Sequence, residues 1–394
     1  AGAQLGAAVP LPACEAWREG SRRLRVGIVS GDLYSHPVGW LGARSLLAHD
    51  RDAIELHIYS HTLVNDAMTQ TLREGIEHWH EVQALNDTAL RDLIVSHGID
   101  VLIDTAGHTA QNRMAVFARR AAPVQLSWLG FPASTGLAAM DGVLLGADMA
   151  PVGCEESFTE RVLRLPGMSF TYQPPDYAPD VAPPPALRQG FVTFGSFNNA
   201  TKLNAGVLHT WAQLLHRVSD SRLVLKWRNL ADPELSARIG NSFAALGIDP
   251  ARVERRGPSR HPDMLAEYAD IDIALDPFPF PGGLTTCEAL SMGVPVVTLP
   301  WQRPISRQGL AILQEAQLQS VMWQIDSLDW ADPVPSSIAD RVLRQIDQAG
   351  RGIVLFHDIH ERTVKALPQI LDRLVAEGYQ FAGWDGQGFS TKTR

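Results

Sequence analysis

The sequence predicts an α/β protein: two Rossmann-like domains facing across a cleft, followed by a C-terminal strand–helix extension. Three observations carry that expectation. From Leu24 onward, short apolar runs alternate with helix-length amphipathic stretches, a rhythm that produces parallel sheets joined by crossover helices. A Pro-rich stretch at 174–190 interrupts the rhythm, which then restarts. Of 394 residues, 45% are hydrophobic and 20% charged, enough apolar chain for two such cores and too little charge for a disordered polymer.

Residues 1–23 carry no periodicity and are expected to be irregular. The first domain, 24–173, contains strand-like runs at LRVGIVS (24–30), LHIYS (56–60), DVLID (100–104) and PVQLSWLG (123–130). In the linker PPDYAPDVAPPPALRQG (174–190), proline fixes φ and removes amide donors, so neither helix nor ladder is expected to continue through it. The second domain, 191–318, restarts with FVTFGSF (191–197), a helix to about Val218, and SRLVLKW (221–227). A further helix follows, then ARVERRG (251–257), DIDIALDPF (270–278) and PVVTLP (295–300). Residues 319–394 form the extension. Paired parallel sheets place a cleft where their carboxyl ends converge, a layout suited to a phosphate-bearing metabolite.

Composition excludes several functions. The 34 Lys+Arg against 43 Asp+Glu give a formal net charge of −9, so no nucleic-acid footprint is expected. No run approaches the roughly 18 to 20 apolar residues of a membrane helix, and the Ala-rich start lacks the basic flank and apolar run of a signal peptide. No membrane association is expected. Cys14, Cys154 and Cys287 are widely spaced, which argues against a disulfide framework or a thiolate zinc site and fits a reducing, cytoplasmic setting. Oligomeric state leaves no mark in the sequence.

Chemistry concentrates in four segments. In DPFPFPGGLTTCEALSMGVPVVTLP (276–300) prolines and glycines forbid regular structure after a strand, and a helix starts at Leu284 with Thr285 and Thr286 in its first turn. Free amides and the helix dipole there favour a diphosphate, and Glu288 on the same helix is placed to accept from ribose hydroxyls. The same residues equally make an ordinary strand–loop–helix turn with threonine capping. In FGSFNNATKLN (194–204) a strand ends in small polar residues and Lys202, either solvated surface or a point charge for a leaving diphosphate. SGDLYSHPVGW (30–40) puts Asp32, His36 and Pro37 at the mouth of the first sheet. His108 in DTAGHTAQNR (104–113) holds an equivalent place. A loop histidine is either a base or acceptor-positioning group near neutral pH, or simply bonded to backbone.

Residues from about 25 to 318 resemble the catalytic region of the O-linked N-acetylglucosamine transferase and SPINDLY family, nearer the SPINDLY branch. SGDLYSHPVG, DTAGHTAQNR, APVQLSWLGFPASTG, FVTFGSFNNATKLN and GGLTTCEALSMGVPVVTLP match it in order. The resemblance implies a GT-B architecture and inverting transfer of a sugar from a nucleotide sugar to Ser or Thr hydroxyls of a protein or peptide acceptor. The donor is UDP-N-acetylglucosamine or, as the alternative, GDP-fucose. By the same resemblance His36 is the active-site histidine near sugar and acceptor, and Lys202, with Asn199 beside it, contacts the diphosphate. Thr285 and Thr286 cradle the phosphates, Glu288 binds the ribose, and His261 lines the nucleobase pocket. No cofactor or metal is implied, since lysine and helix amides take the place of a divalent cation. The general base stays open between His36 and Asp32.

Two features depart from the family pattern. Gly282, Gly283 and Leu284 stand where SPINDLY-type proteins carry threonines, and no tetratricopeptide array, the family's usual acceptor-presenting element, is encoded in these residues. From about Ser320 the sequence instead resembles the C-terminal part of a NodB-type polysaccharide deacetylase, through Asp326, Asp329 and Trp330 and through Leu355, His357 and Asp358. The upstream ligand segments of such a metal hydrolase are absent. The other reading of 352–381 is a strand and amphipathic helix in which His357, Asp358 and His360 are structural or surface groups. Because this tail stands where GT-B enzymes place a helix that crosses back to the first domain, impaired domain closure is an expectation. A metal-dependent deacetylase-related protein and a non-catalytic nucleotide-sugar-binding module are the competing functions.

Overall fold

Strand side chains alternate between faces, and here both faces are covered. In β1 (Leu24–Ser30) Ile28 joins an apolar cluster with Leu46, Ile58 and Leu72, whereas Val29 joins another with Tyr59, Ile94 and Phe117. Burial on both sides makes a strand a near-continuous apolar run and requires helices above and below. The computed structural model describes residues 22–316, 325–329, 332–350, 354–356, 361–381, 383–384 and 389–390. The chain divides into two compact units, 1–318 and 319–394.

In the first unit β1 is followed by α1 (Pro37–Leu47), β2 (Ile54–Ser60), α2 (Ala67–Gly75), β3 (His78–Glu81), α3 (Asp87–Ser96) and β4 (Val101–Asp104). Then come α4 (Met114–Ala118), β5 (Val124–Trp128), β6 (Gly142–Gly146) and β7 (Arg161–Leu165). These strands form a seven-stranded sheet of order β3-β2-β1-β4-β5-β6-β7, every pair parallel.

The Pro-rich segment is not wholly irregular. It closes on one helical turn, α5 (Ala186–Gln189), for which Pro185 supplies the φ that proline favours at a helix start. Asp272 fastens this turn by accepting from the Ala186 amide at 2.9 Å.

After it run β8 (Thr193–Ser196), α6 (Ala205–Arg217), β9 (Arg222–Lys226), α7 (Pro233–Ala245), β10 (Val253–Arg256), α8 (His261–Ala266), β11 (Ile273–Leu275), α9 (Leu284–Ser291), β12 (Val296–Val297) and α10 (Gln308–Glu315). The second sheet, also parallel throughout, has order β10-β9-β8-β11-β12. Its cores gather Trp211, Leu223, Leu225 and Phe243 on one side and Val224, Tyr268 and Met292 on the other. One apolar cluster spans both halves: Leu41, Val143, Leu145 and Phe170 from the first meet Cys287, Ala311 and Ile312 of α9 and α10. Contact between the halves is thus built before residue 319.

The second unit, taken by itself, contains β13 (Ile325–Asp326), α11 (Pro335–Ala349), β14 (Val354–Leu355), α12 (Glu361–Ala376), β15 (Gly383–Trp384) and β16 (Phe389–Ser390). Its core packs Ile338, Val342 and Ile346 of α11 against Ala366, Ile370 and Leu374 of α12, the i, i+4 spacing of two amphipathic helices. Among the described residues no helix is long and apolar enough to cross a membrane.

Phe243 is fully buried between the second sheet and its helices. Phe243→Ala should lower unfolding free energy by about 3–5 kcal/mol through lost burial and the cavity left behind. Chemical denaturation measures this, and a loss below about 1 kcal/mol contradicts the packing described.

Candidate active site

Each sheet reverses its strand order once, β1 against β4 in the first and β8 against β11 in the second. Connections leave in opposite directions at such a switch point and open a crevice at the carboxyl ends of the strands. The loops after β1, β8 and β11 carry His36, Lys202 and the approach to Thr285 into the cleft, and the segments after β9 and β10 add Arg228 and His261.

The loop after β1 ends at His36, the N-cap of α1. Its backbone is extended, Pro37 takes the first helical position, and Nδ1 accepts from the Val38 amide at 3.3 Å. Gly39 is required beside it, because a Cβ there would overlap the Tyr34 carbonyl oxygen. Burial pulls the His36 pKa below the usual histidine range; Asp32, 3.9 Å away, opposes this and Arg228 adds to it. The ring is neutral at pH 7, and with Nδ1 accepting from Val38 its proton sits on Nε2. His36 thus presents a donor, which suits holding a sugar or acceptor oxygen better than removing a proton.

After β8, Asn199 caps a single 3-10 turn, Ala200–Lys202, by accepting from the Thr201 amide at 3.1 Å. That turn aims Lys202 inward. Its Nζ donates to the Pro281 carbonyl at 2.7 Å and to Asn198 Oδ1 at 3.2 Å, and stands 4.2 Å from the centre of the Phe280 ring. Loss of water lowers its pKa to about 8, against the opposing charge of Asp276. The residue joining Lys202 to the helix beyond is Asn198, which also accepts from Thr285 Oγ1 at 3.3 Å.

Just past β11 comes Asp276, buried, which folds the Pro-rich loop back on itself. One carboxylate oxygen accepts from the Gly282 amide at 3.1 Å, and the Thr286 hydroxyl donates to the carboxylate at 3.2 Å. Burial raises the Asp276 pKa, and the Gly282 amide opposes the shift. A Cβ on Gly282 would collide with Thr286 and Asp276, so glycine in place of a threonine is a steric requirement of this loop. α9 then starts without a side-chain cap, and among the described residues the Leu284 and Thr285 amides have no acceptor.

The two threonines face differently. Thr285 lines the cleft, whereas the buried Thr286 hydroxyl is turned to Asp276. Further along α9 the buried Glu288 accepts from His261 Nε2 at 2.9 Å, and Tyr177 of the linker donates to His261 Nδ1 at 2.7 Å. Burial raises the Glu288 pKa, partly offset by His261. His261 also reaches the other half, its ring 5.1 Å from that of Trp40.

His36, Asn199, Lys202, His261, Thr285 and Glu288 share one cavity of about 590 Å³, within the range for small-ligand sites. His108 is outside its lining and is bonded to the Thr135 carbonyl at 2.6 Å. Sequence reasoning missed Asp276, Asn198 and Arg228. Arg228 lines the cleft and is exposed. Its signal was legible: a basic residue just past the carboxyl end of a strand, in LKWRN.

In the tail, Asp326 caps its own turn by accepting from the Leu328 amide at 2.9 Å, and the buried Asp329 accepts from Thr363 Oγ1 at 2.5 Å. Both serve local structure. Leu355 lies in β14; Trp330, His357, Asp358 and His360 lie outside the described residues.

Residues 10–173 match glycosyl transferase family 41. Over 306 residues the chain is 33% identical to a probable UDP-N-acetylglucosamine–peptide N-acetylglucosaminyltransferase SPINDLY of Solanum lycopersicum, covering 76% of this chain and 33% of that protein. It is 28% identical to a probable transferase of the same description, SEC, of Arabidopsis thaliana, covering 74% and 30%. Among solved structures, a mutant of the O-GlcNAc transferase of Thermobaculum terrenum superposes with a TM-score of 0.74 at 35% identity, covering 93% of this chain and 66% of that one. The chain spans about a third of the length of these curated relatives. With the two parallel sheets in the GT-B arrangement and these matches across both, the chain belongs to glycosyl transferase family 41.

Proposed function

We propose that the chain transfers N-acetylglucosamine from UDP-N-acetylglucosamine to serine or threonine hydroxyls of a protein or peptide acceptor, with inversion, in a cytoplasmic setting and without a metal in the reaction. The observation that carries this reading is the meeting, in one cavity, of the Lys202 ammonium with the free first-turn amides of α9, opposite the donor face of His36. The activity in the names of the relatives supports the same donor and acceptor.

The acceptor oxygen attacks the anomeric carbon, the bond from that carbon to the diphosphate oxygen breaks, and UDP leaves with the bonding pair. Lys202, the Leu284 and Thr285 amides and the Thr285 hydroxyl face the charge that grows on the leaving group, where fixed donors act most strongly. Thr286 contributes through Asp276, by holding the loop. Glu288 takes the ribose hydroxyls and His261, between Trp40 and Glu288, borders the base. His36 orients sugar or acceptor through Nε2–H, and the hydroxyl proton leaves to Asp32 or solvent.

Calorimetric titration of the chain with UDP and, separately, GDP tests the donor. UDP is expected to bind at micromolar concentration, weakened tenfold or more, about 1.4 kcal/mol, by Lys202→Ala; preference for GDP replaces the donor with a guanosine sugar such as GDP-fucose. Below about pH 8 Lys202 is charged, and above it the ammonium is lost. Affinity for UDP should therefore fall as pH rises from 8 to 10, by up to about tenfold per unit, while Lys202→Arg flattens the slope. Asparagine is also a good N-cap, so His36→Asn should keep α1 and UDP affinity while lowering transfer to a peptide about a hundredfold or more. Unchanged turnover removes His36 from the reaction.

A further inference from the structure

Outside the cleft lining, histidines crowd the edge of the first sheet. The register of β2 on β3 sets His57 opposite His78 and Tyr59 opposite His80, and strand alternation puts all four rings on one face. His97, the C-cap of α3, completes the group. Ring centroids of His57 and His80 are 5.4 Å apart, and those of His80 and His97 4.5 Å. Packing alone needs no ring nitrogens, and hydrophobic rings would fill this corner without the cost of burying polar atoms.

The nitrogens are arranged in two shells. His57 Nδ1 and His80 Nε2 face each other at 3.2 Å. Two imidazoles on one tetrahedral ion, with metal–nitrogen bonds of about 2.0–2.1 Å, hold their nitrogens roughly 3.3 Å apart. Two of the three outer nitrogens are occupied: Glu55 Oε1 lies 3.1 Å from His57 Nε2, and Tyr59 Oη 2.8 Å from His97 Nδ1. A carboxylate or hydroxyl on the far nitrogen is the arrangement that orients a metal-bound histidine and fixes its tautomer. One ligand nitrogen from each of His57, His80 and His97 falls within a group spanning no more than 4.8 Å.

We propose that His57, His80 and His97 bind one divalent d-block cation of the zinc type, with water in the fourth position and Glu55 and Tyr59 as outer supports. Glu55 also stands near His57 and His78, but its carboxylate is balanced by Arg25 at 3.2 Å and Arg23 at 3.8 Å, which fits the outer shell better than direct ligation. Three imidazoles without thiolate or free carboxylate favour zinc, nickel or copper over magnesium or calcium. Burial, reinforced by the neighbouring histidines, keeps His57, His80 and His97 below the usual histidine range, His80 at about 4, so their lone pairs are available at neutral pH. The ion ties the four-residue edge strand β3 and the end of α3 to β2, and its role is to hold this corner of the fold. The site is independent of the proposed transfer reaction.

The test is calorimetric titration of the tag-free, chelator-treated chain with zinc chloride, alongside its melting temperature and the visible absorption of the cobalt(II) form. One equivalent should bind at micromolar concentration or tighter, raise the melting temperature, and give the intense d–d bands of low-coordinate cobalt. His57→Gln and His80→Gln should each weaken binding at least a hundredfold, and Tyr59→Phe about tenfold, with UDP affinity unchanged. Absence of binding overturns the proposal, as does binding that survives both histidine substitutions. Should those variants fail to fold by circular dichroism, Tyr59→Phe decides, and unchanged zinc affinity in it is the overturning result.

Discussion

The cleft depends on an ammonium taken out of water without a carboxylate of its own. Among the described residues Lys202 forms no ion pair. Its hydrogen bonds go to a carbonyl and an amide oxygen, and an aromatic ring lies beneath it. The nearby Asp276 is committed to Gly282 and Thr286. Holding a charge this way is costly, and burial lowers the lysine pKa accordingly; in the proposed reaction the donor's diphosphate would offset that cost by supplying the missing negative charge. The uncapped start of α9 is the same device in backbone form. A threonine or serine cap at Gly283 would satisfy the helix and fill the donors that the anion needs.

Topology brings these groups together. The motifs carrying His36 and Lys202 are far apart in sequence, yet each follows the first strand of its sheet at the switch point, and the loops after β4 and β11 complete each mouth. A shift of one strand in either sheet would leave the motif intact and move it away from the cleft. This is why the motif order along the chain carries more information than any single glycine-rich turn.

How far the sequence could be read follows from what each residue contacts. β1, β2, β4 and β5 announce themselves because both faces are buried and their runs are apolar. β3, HWHE, does not, since its histidines line a polar corner, Trp79 alone packs on an apolar cluster, and its pairing with β2 is a long-range event. β6 and β7 were missed as well: glycines bound β6, and two arginines break the short apolar run of β7. The turn α5 was hidden by the prolines around it. At the site, His36, Lys202, Thr285 and Glu288 were found because motif and topology agree. The different facing of Thr286, and the use of Asn198 rather than Asn199 to join Lys202 to α9, follow from packing around a buried carboxylate at the end of β11, and local pattern contains no term for that.

α9 is where these constraints meet. Within one turn it presents Thr285 to the cleft, Thr286 to Asp276 and Cys287 to the apolar cluster that also holds Leu41 of α1. α1 and α9 are in contact, and His36 caps α1 just as the free amides open α9. The spacing between His36 and the start of α9 is therefore set by close-packed apolar side chains with little freedom to slide, not by the polar groups to which the proposed chemistry is assigned. If the proposed transfer takes place here, a core methyl at that seam bears on its geometry, because a small displacement between two helix starts would move the donor and acceptor sides apart.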